Sequence, residues 1–234
     1  MSDPTLDHAL LPELGEAGAF EAAPVRIGVE RILRIQGYSD LSRVRPRIRK
    51  AAEYAADLAG EITCGAVGFR RVPISALDGA RLQLDGRHDF QCEAFGRFLQ
   101  GCQSVVAFVL TAGAVFDERI DELMKGDRPV EGLFLDSAGW LAVEAVTRQF
   151  AEQLKHDTAT QGLRLTRRMG PGYSYRMGPR MEPWDLAEQV TLFAALGDAP
   201  LPSALMESSA MHPKMSRSGL YGLRADSRTE PTSD

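Results

Sequence analysis

The chain has 234 residues, 44% hydrophobic and 25% charged, enough to bury a full core in one large domain or two small ones. Its formal net charge of −5 leaves no surplus of Lys and Arg to displace counterions from a phosphate backbone, so nucleic acid is not an expected partner. Cys64, Cys92 and Cys102 lack a Cys-x-x-Cys spacing and the four histidines are scattered, which excludes a zinc knuckle or iron–sulfur cluster built by this chain alone; no protein-bound metal is expected.

Residues 1–23, rich in Ala, Glu, Leu and Gly, read as an N-terminal arm, either loose or a short helix. Asp3, Asp7, Glu13 and Glu16 stand where a secretory signal would have a basic start and an apolar run, so a cytoplasmic protein is expected. Val29 to Ile35 begins a helix or a strand, which Gly37-Tyr38-Ser39 ends. From Leu41 to Ala59 the apolar Val44, Ile48, Ala51, Ala52, Ala55, Leu58 and Ala59 recur at helical spacing, with Gly60 as the stop. Its basic start, Arg43, Arg45, Arg47, Arg49 and Lys50, fits a solvated helix face better than a docking face for an acidic partner.

Ile62 to Ile74 and Ala80 to Leu84 carry the alternation and turn residues of short antiparallel strands. Asp89 to Gln100 reads as a helix with Phe90, Ala94, Phe95, Phe98 and Leu99 on its apolar side. Val105 to Leu110, apolar throughout, predicts a central strand buried on both faces, and Thr111-Ala112-Gly113 turns it into a helix from Phe116 to Met124. That junction points backbone N–H groups outward as an anion site would, although a tight connection explains it equally well. Even extended to Phe116, the apolar run falls short of the roughly 20 residues that cross a bilayer, so no membrane span is expected.

Asp136-Ser137-Ala138-Gly139 opens the longest predicted helix, which runs to about Lys155 with Asp136 or Ser137 as cap. Glu144, set among Ala142, Val143, Ala145 and Val146, reads equally as a functional carboxylate and as an ordinary helix-surface acid. After a polar linker from Thr158 to Thr166 comes Arg168-Met169-Gly170-Pro171-Gly172-Tyr173. Gly170 and Gly172 permit close backbone approach or positive φ and Pro171 stiffens the turn, so Arg168 and Tyr173 stand at a fixed separation suited to a planar or anionic ligand. Taken alone, the string is also an ordinary surface turn. Pro183 begins a helix through Trp184, Leu186, Val190, Phe193 and Leu196, stopped by Gly197; Ala204 to Met206 is a short strand, and residues 224–234 are a flexible tail. Strands and helices in uneven groups, without sustained βαβ alternation, predict one α+β domain over residues 24–223, with an antiparallel-rich central sheet flanked by helices.

The Arg168–Tyr173 string, the helix through Trp184, Gln189 and Phe193, and the segment Glu207-Ser208-Ser209-Ala210-Met211-His212-Pro213-Lys214-Met215-Ser216-Arg217-Ser218-Gly219-Leu220-Tyr221 together resemble the reactivation domain of cobalamin-dependent methionine synthase. Val29 to Tyr38, Val105 to Gly113 and Asp136 to Ala145 look like the small stand-alone versions of that domain. The pairing of Ala210-Met211-x-Pro213 with Ser216-x-Ser218-Gly219 is more specific than the glycine turn.

The resemblance implies S-adenosylmethionine bound between the two segments, its methyl group directed at the cobalt of a cobalamin carried by a partner protein. Arg168 matches the arginine that contacts that ligand, Gly170 the small residue whose backbone meets it, and Tyr173 the tyrosine beside the corrinoid. Tyr221 matches a tyrosine of the ligand pocket and Glu144 the glutamate near the ligand amine; Gly172 completes the turn. Ser216 and Ser218 supply hydroxyls either to the ligand or to their own turn. No side chain is assigned a catalytic role, since cobalt supplies the nucleophile and the protein supplies proximity.

The implied partners are a cobalamin-binding methionine synthase chain and an electron-donating flavodoxin or ferredoxin. Another corrinoid methyltransferase, or a docking role without catalysis, are the alternatives. The chain departs from the family pattern at Met169 and Ser174, where prolines are usual, and it lacks an obvious counterpart of the N-terminal segment that carries a ligand-binding aspartate.

Overall fold

The computed structural model describes residues 11 to 226. The chain opens with strand β1 (Ala17–Glu21) and helices α1 (Val29–Ile35) and α2 (Pro46–Ile62), then strands β2 (Ala66–Asp78), β3 (Arg81–Leu84) and β4 (His88–Gln91). A single-turn helix α3 (Phe95–Phe98) leads to strand β5 (Cys102–Thr111), helices α4 (Val115–Lys125) and α5 (Pro129–Thr160), and strand β6 (Leu163–Met169). A small hairpin, β7 (Ser174–Met177) and β8 (Arg180–Pro183), precedes helix α6 (Gln189–Leu196). The two-residue strands β9 (Ala204–Leu205) and β10 (Met211–His212) then lead into β11 (Ser216–Ala225).

Seven strands form one antiparallel sheet in the order β4-β3-β2-β5-β11-β6, with β1 paired to the first half of β2. The chain is therefore the expected α+β domain with an antiparallel sheet flanked by helices. β5 is buried from Ser104 to Thr111 because both faces are covered. Its alternation sends Val106, Phe108 and Leu110 toward the alanine-rich side of α2 and the inward residues of α5, and Val105, Ala107 and Val109 toward Trp184 and α6. Phe150 of α5 sits at the centre of the first layer, 5.1 Å from the Phe69 ring and 5.5 Å from Phe108. In the second layer Trp184 takes Phe95 edge-on at 4.9 Å and Phe90 at 5.8 Å.

Several sequence expectations are corrected here. The arm over 1–23 is neither loose nor helical at Ala17–Glu21, which adds a strand to β2; residues 1–10 lie outside the described region. The expected helix from Leu41 starts at Pro46, after a 3-10 turn at Leu41–Arg43 capped by Asp40, and runs through Gly60 to Ile62. β2 is one long strand rather than a short one, because its two halves pair with different neighbours.

Asp89 to Gln91 are strand, with only Phe90 buried, and the helix is confined to Phe95–Phe98; Phe90 and Phe95, expected on one helix face, instead reach Trp184 from a strand and from a helix. Asp136 and Ser137 are interior to α5, whose start is Pro129 at the first helical position. The expected polar linker is not a linker: Thr158 to Thr160 end α5 and Leu163 to Thr166 begin β6, an edge strand whose Arg164 and Arg167 face water. Pro183 ends the β8 strand, and the helix waits until Gln189, after a turn at Leu186–Glu188 capped by the Asp185 carboxylate. β11 runs to Ala225, two residues into the expected tail, of which residues 227–234 lie outside the described region.

Candidate functional site

The site starts where β6 leaves the sheet. β6 pairs with β11 as far as Met169 opposite Leu220, and then Gly170 bends the chain away. A side chain at Gly170 would put its Cβ 2.9 Å from the Ser218 carbonyl oxygen, so glycine lets the turn pass this close to β11. Gly172 adopts φ of 81°, the left-handed region that the turn requires. The buried Tyr175 hydroxyl fixes the bend, accepting from Gly170 N–H at 2.6 Å and donating to Gly170 O at 3.0 Å. Gly172 N–H donates to Trp184 O, and Trp184 N–H to Tyr173 O, tying the far side of the turn to the second core layer.

As a consequence, Ser216 to Gly219 pair with β5 on one side and, among the described residues, with no strand on the other. The departure of β6 leaves a short length of open sheet edge beside the glycine turn. Arg168 stands at that edge, its guanidinium 4.3 Å from the Tyr173 ring centroid and its Nη1 donating a long 3.5 Å bond to Ser218 O.

β11 supplies the second wall, and its alternation divides the wall's chemistry. On one face Ser218 Oγ donates to Gln189 Oε1 at 2.7 Å, and Gln189 Nε2 donates to Ser209 O at 2.8 Å. Ser216 Oγ donates to Pro213 O at 2.7 Å and lies 2.8 Å from Ser203 Oγ. Ser216 therefore bonds within its own turn, whereas Ser218 holds the Gln189 side chain of α6 and through it the loop at Ser209.

On the other face Arg217, only 7% exposed, reaches α5: Nη2 donates to Glu144 Oε1 at 2.5 Å and Nη1 to Thr147 Oγ1 at 3.0 Å. Its Nε is buried with no hydrogen-bond partner among the described residues. Burial pushes the Glu144 carboxyl up, but the hydrogen bond and charge of Arg217, with the charges of Arg168 and Arg31, outweigh this and hold it below its ordinary value. Tyr221 is buried one layer behind, stacked on Phe108 at 5.4 Å, and burial raises its hydroxyl pKa to about 12.

Between the two walls lies a cleft of about 300 Å³ lined in part by Trp140, Tyr173, Leu186, Gln189, Lys214 and Arg217. Trp140 and Tyr173, each 39% exposed, give it an aromatic mouth, while Lys214 is matched by the Asp136 carboxylate. Such a cleft can take a planar group against its aromatic and aliphatic walls, and polar groups at the open edge of β11.

Of the residues singled out in the sequence, Tyr173, Ser216 and Ser218 line this cleft. Arg168 and Gly170 adjoin it through Tyr173 and Ser218, Gly172 shapes the turn, Glu144 meets it through Arg217, and Tyr221 lies in the core. Sequence reasoning missed Arg217, Trp140 and Lys214, and took Gln189 only as part of a helix. The available signal was the alternation of Ser216-Arg217-Ser218, which sends an arginine toward the same helix that carries Glu144.

Two other grooves are of similar size or larger. One, of about 440 Å³, is lined by Asp117, Glu118, Ile120, Asp121 and Lys214; the other, of about 320 Å³, by Tyr38, Arg43, Arg45, Arg47 and Ile48. Neither joins distant segments through buried polar contacts as the β11 cleft does.

No family model matches the chain, and no curated protein matches it in sequence. A solved structure shares its architecture: the MetH reactivation domain bound to AdoHcy (S-adenosylhomocysteine) aligns with 97% of this chain and 84% of its own, at a TM-score of 0.61 and 15% identity. At that identity the likeness is one of fold, and the chain has the fold of the MetH reactivation domain.

Proposed function

We propose that the β11 cleft binds S-adenosylmethionine and that the chain is a stand-alone reactivation subunit for a cobalamin-dependent methionine synthase whose other domains are separate chains. The observation that carries this reading is the open edge of β11 at Ser216 to Gly219, set beside the Arg168–Tyr173 turn in a fold whose solved relative holds an S-adenosyl ligand. The cleft fits such a ligand chemically: Trp140, Tyr173 and Leu186 offer walls for a purine, and the Arg168 guanidinium stands ready for a carboxylate.

On this reading a reduced corrinoid on the partner supplies the nucleophile, with the electron coming from a flavodoxin or ferredoxin. This chain's residues bind and orient. Arg168 anchors the ligand, the open β11 edge fixes its backbone-facing polar groups, and the exposed Tyr173 ring faces the partner. Proximity of this kind removes roughly 7–11 kcal/mol of barrier in favourable cases. The same arrangement serves an activator of another corrinoid methyltransferase, and growth of a deletion strain without methionine separates the two.

A docking module without ligand affinity is the second reading, favoured by one observation: Glu144 is already engaged by Arg217, and the Ser216 and Ser218 hydroxyls are spent within the protein. The test adds the chain to a partner loaded with oxidised corrinoid, together with reductant and S-adenosylmethionine, and follows the absorbance of the methylated corrinoid. Its appearance supports reactivation; a complex that forms without methylation supports the docking module.

A further inference from the structure

The segment between the β7–β8 hairpin and α6 touches both walls of the cleft and the loop of residues 206–210, whose Ser209 and Ala210 also line it. A side chain at Gly172 would put its Cβ 3.2 Å from Leu186 Cδ1, so Leu186 backs the glycine turn. Three residues on, Gln189 bonds Ser218 of β11 and Ser209 of the loop. The segment is itself fixed to the second core layer, because the Glu188 carboxylate accepts from Trp184 Nε1 and from Gln91 N–H.

The 206–210 loop has little else to hold it. Met206, Glu207, Ser208 and Ala210 are exposed, and the loop closes on itself through Met206 N–H to Ala210 O and Ser209 N–H to Met206 O. Ser209 has φ of 63°, the left-handed region in which a residue with a side chain is disfavoured. The chain beyond is secured separately, with Lys214 held by Asp117 and Asp136. Among the described residues, the hydrogen bond that joins 206–210 to the rest of the protein is Gln189 Nε2 to Ser209 O, at 2.8 Å.

Resting on the ligand class proposed above, we propose that Gln189 is a positioning residue whose amide clamps the 206–210 loop to β11 and so fixes the loop as a wall of the S-adenosyl cleft. Gln189 is 2% exposed, and both ends of its amide are taken by the protein, so it acts through Ser209 and Ser218. The role calls for a glutamine, since one planar group must accept from a hydroxyl and donate to a carbonyl at once. A carboxylate does only the first until it is protonated.

The experiment measures affinity of the full chain for S-adenosylhomocysteine by calorimetry at about pH 8 and about pH 5, on either side of the titration expected of a buried Glu. It compares wild type, Gln189→Glu and Gln189→Leu, each first shown by circular dichroism to be folded at both pH values. Every variant is read as a ratio to wild type at the same pH, which removes titrations the chains share. At the higher pH, Gln189→Glu sets an oxygen against Ser209 O and should bind about tenfold more weakly than wild type. At the lower pH its carboxyl is protonated, donates to Ser209 O as the amide does, and should restore affinity to within about twofold. Gln189→Leu should stay weak at both.

A parallel measurement needs no ligand. Cleavage after the exposed Glu207 by a glutamate-specific protease should outpace wild type in Gln189→Leu at both pH values, and in Gln189→Glu only at the higher. Wild-type affinity in Gln189→Glu at the higher pH, or a loss that acidification leaves in place, overturns the role of Gln189 and leaves the proposed function standing. If wild type does not bind the ligand, the proposed function fails, and the Glu207 cleavage rates alone decide whether Gln189 clamps the loop.

Discussion

Two grooves of nearly equal volume, each carrying arginines, differ in how those arginines are held. In the β11 cleft Arg217 is almost wholly buried, bonded to Glu144 and Thr147, and Arg168 is laid over Tyr173. In the groove at the start of α2, the Arg43 side chain is 85% exposed, and its ion pair with Asp40 stretches to 4.0 Å. Three arginines of one local run, Arg43, Arg45 and Arg47, line the second; the first needed residues from α5, β6 and β11 to converge. Exposed pairs of the second kind contribute about 0–1 kcal/mol, so charge density along a sequence is a poor guide to a site compared with the cost of holding a charge in place.

Substitutions that loosen the frame of the cleft should show the contrast most strongly. Gly170→Val forces a branched side chain against the Ser218 carbonyl and is expected to cost about 2 kcal/mol in urea denaturation. Tyr175→Phe removes both hydroxyl bonds to Gly170 and leaves its N–H buried, for an expected loss of about 1–3 kcal/mol. A smaller effect appears in the pH dependence of stability.

Tyr221 has a folded pKa raised by burial to about 12 from 10.0, so the unfolded chain ionises first; its contribution is complete below pH 10 and lost as pH rises toward 12. Tyr221→Phe should flatten that alkaline decline. Glu144 is shifted the other way, so its contribution is present above its ordinary value of 4.5 and lost as pH falls through the lowered one; Glu144→Gln should remove that part of the acid decline. The double substitution Arg43→Ala, Arg47→Ala should change neither melting temperature nor affinity for an S-adenosyl ligand measurably. An effect there as large as that of Gly170→Val would erase the distinction between the two grooves.

The same distinction explains what the sequence disclosed. The buried strand at Val105 to Leu110 was legible because six successive apolar residues have one simple reading, and the glycine turn because Gly170, Pro171 and Gly172 announce a bend. The strand β6 was not legible. Its alternation is masked by Arg164, Arg167 and Arg168, which an edge strand tolerates because one side of it meets water. The start of α5 was misplaced by seven residues because Asp136 and Ser137 look like caps, yet they are used across the fold, Asp136 by Lys214 and Ser137 by Gln36. Arg217 stayed hidden for the same reason. Its partner Glu144 lies 73 residues away, and only the folded register of β11 against α5 brings them together.

Trp140 makes ligand binding in the β11 cleft directly measurable. The chain has two tryptophans, and Trp184 is 1% exposed, whereas Trp140 lines the cleft with 39% of its surface open. Titration of wild type and Arg168→Ala with S-adenosylmethionine, followed by heat release and by tryptophan fluorescence, tests whether this cleft is the ligand site. Saturable binding that perturbs Trp140 emission is expected, with affinity falling about 10- to 100-fold in Arg168→Ala, as loss of a charged hydrogen bond implies. Unchanged affinity in Arg168→Ala, or binding that leaves the fluorescence untouched, would contradict it.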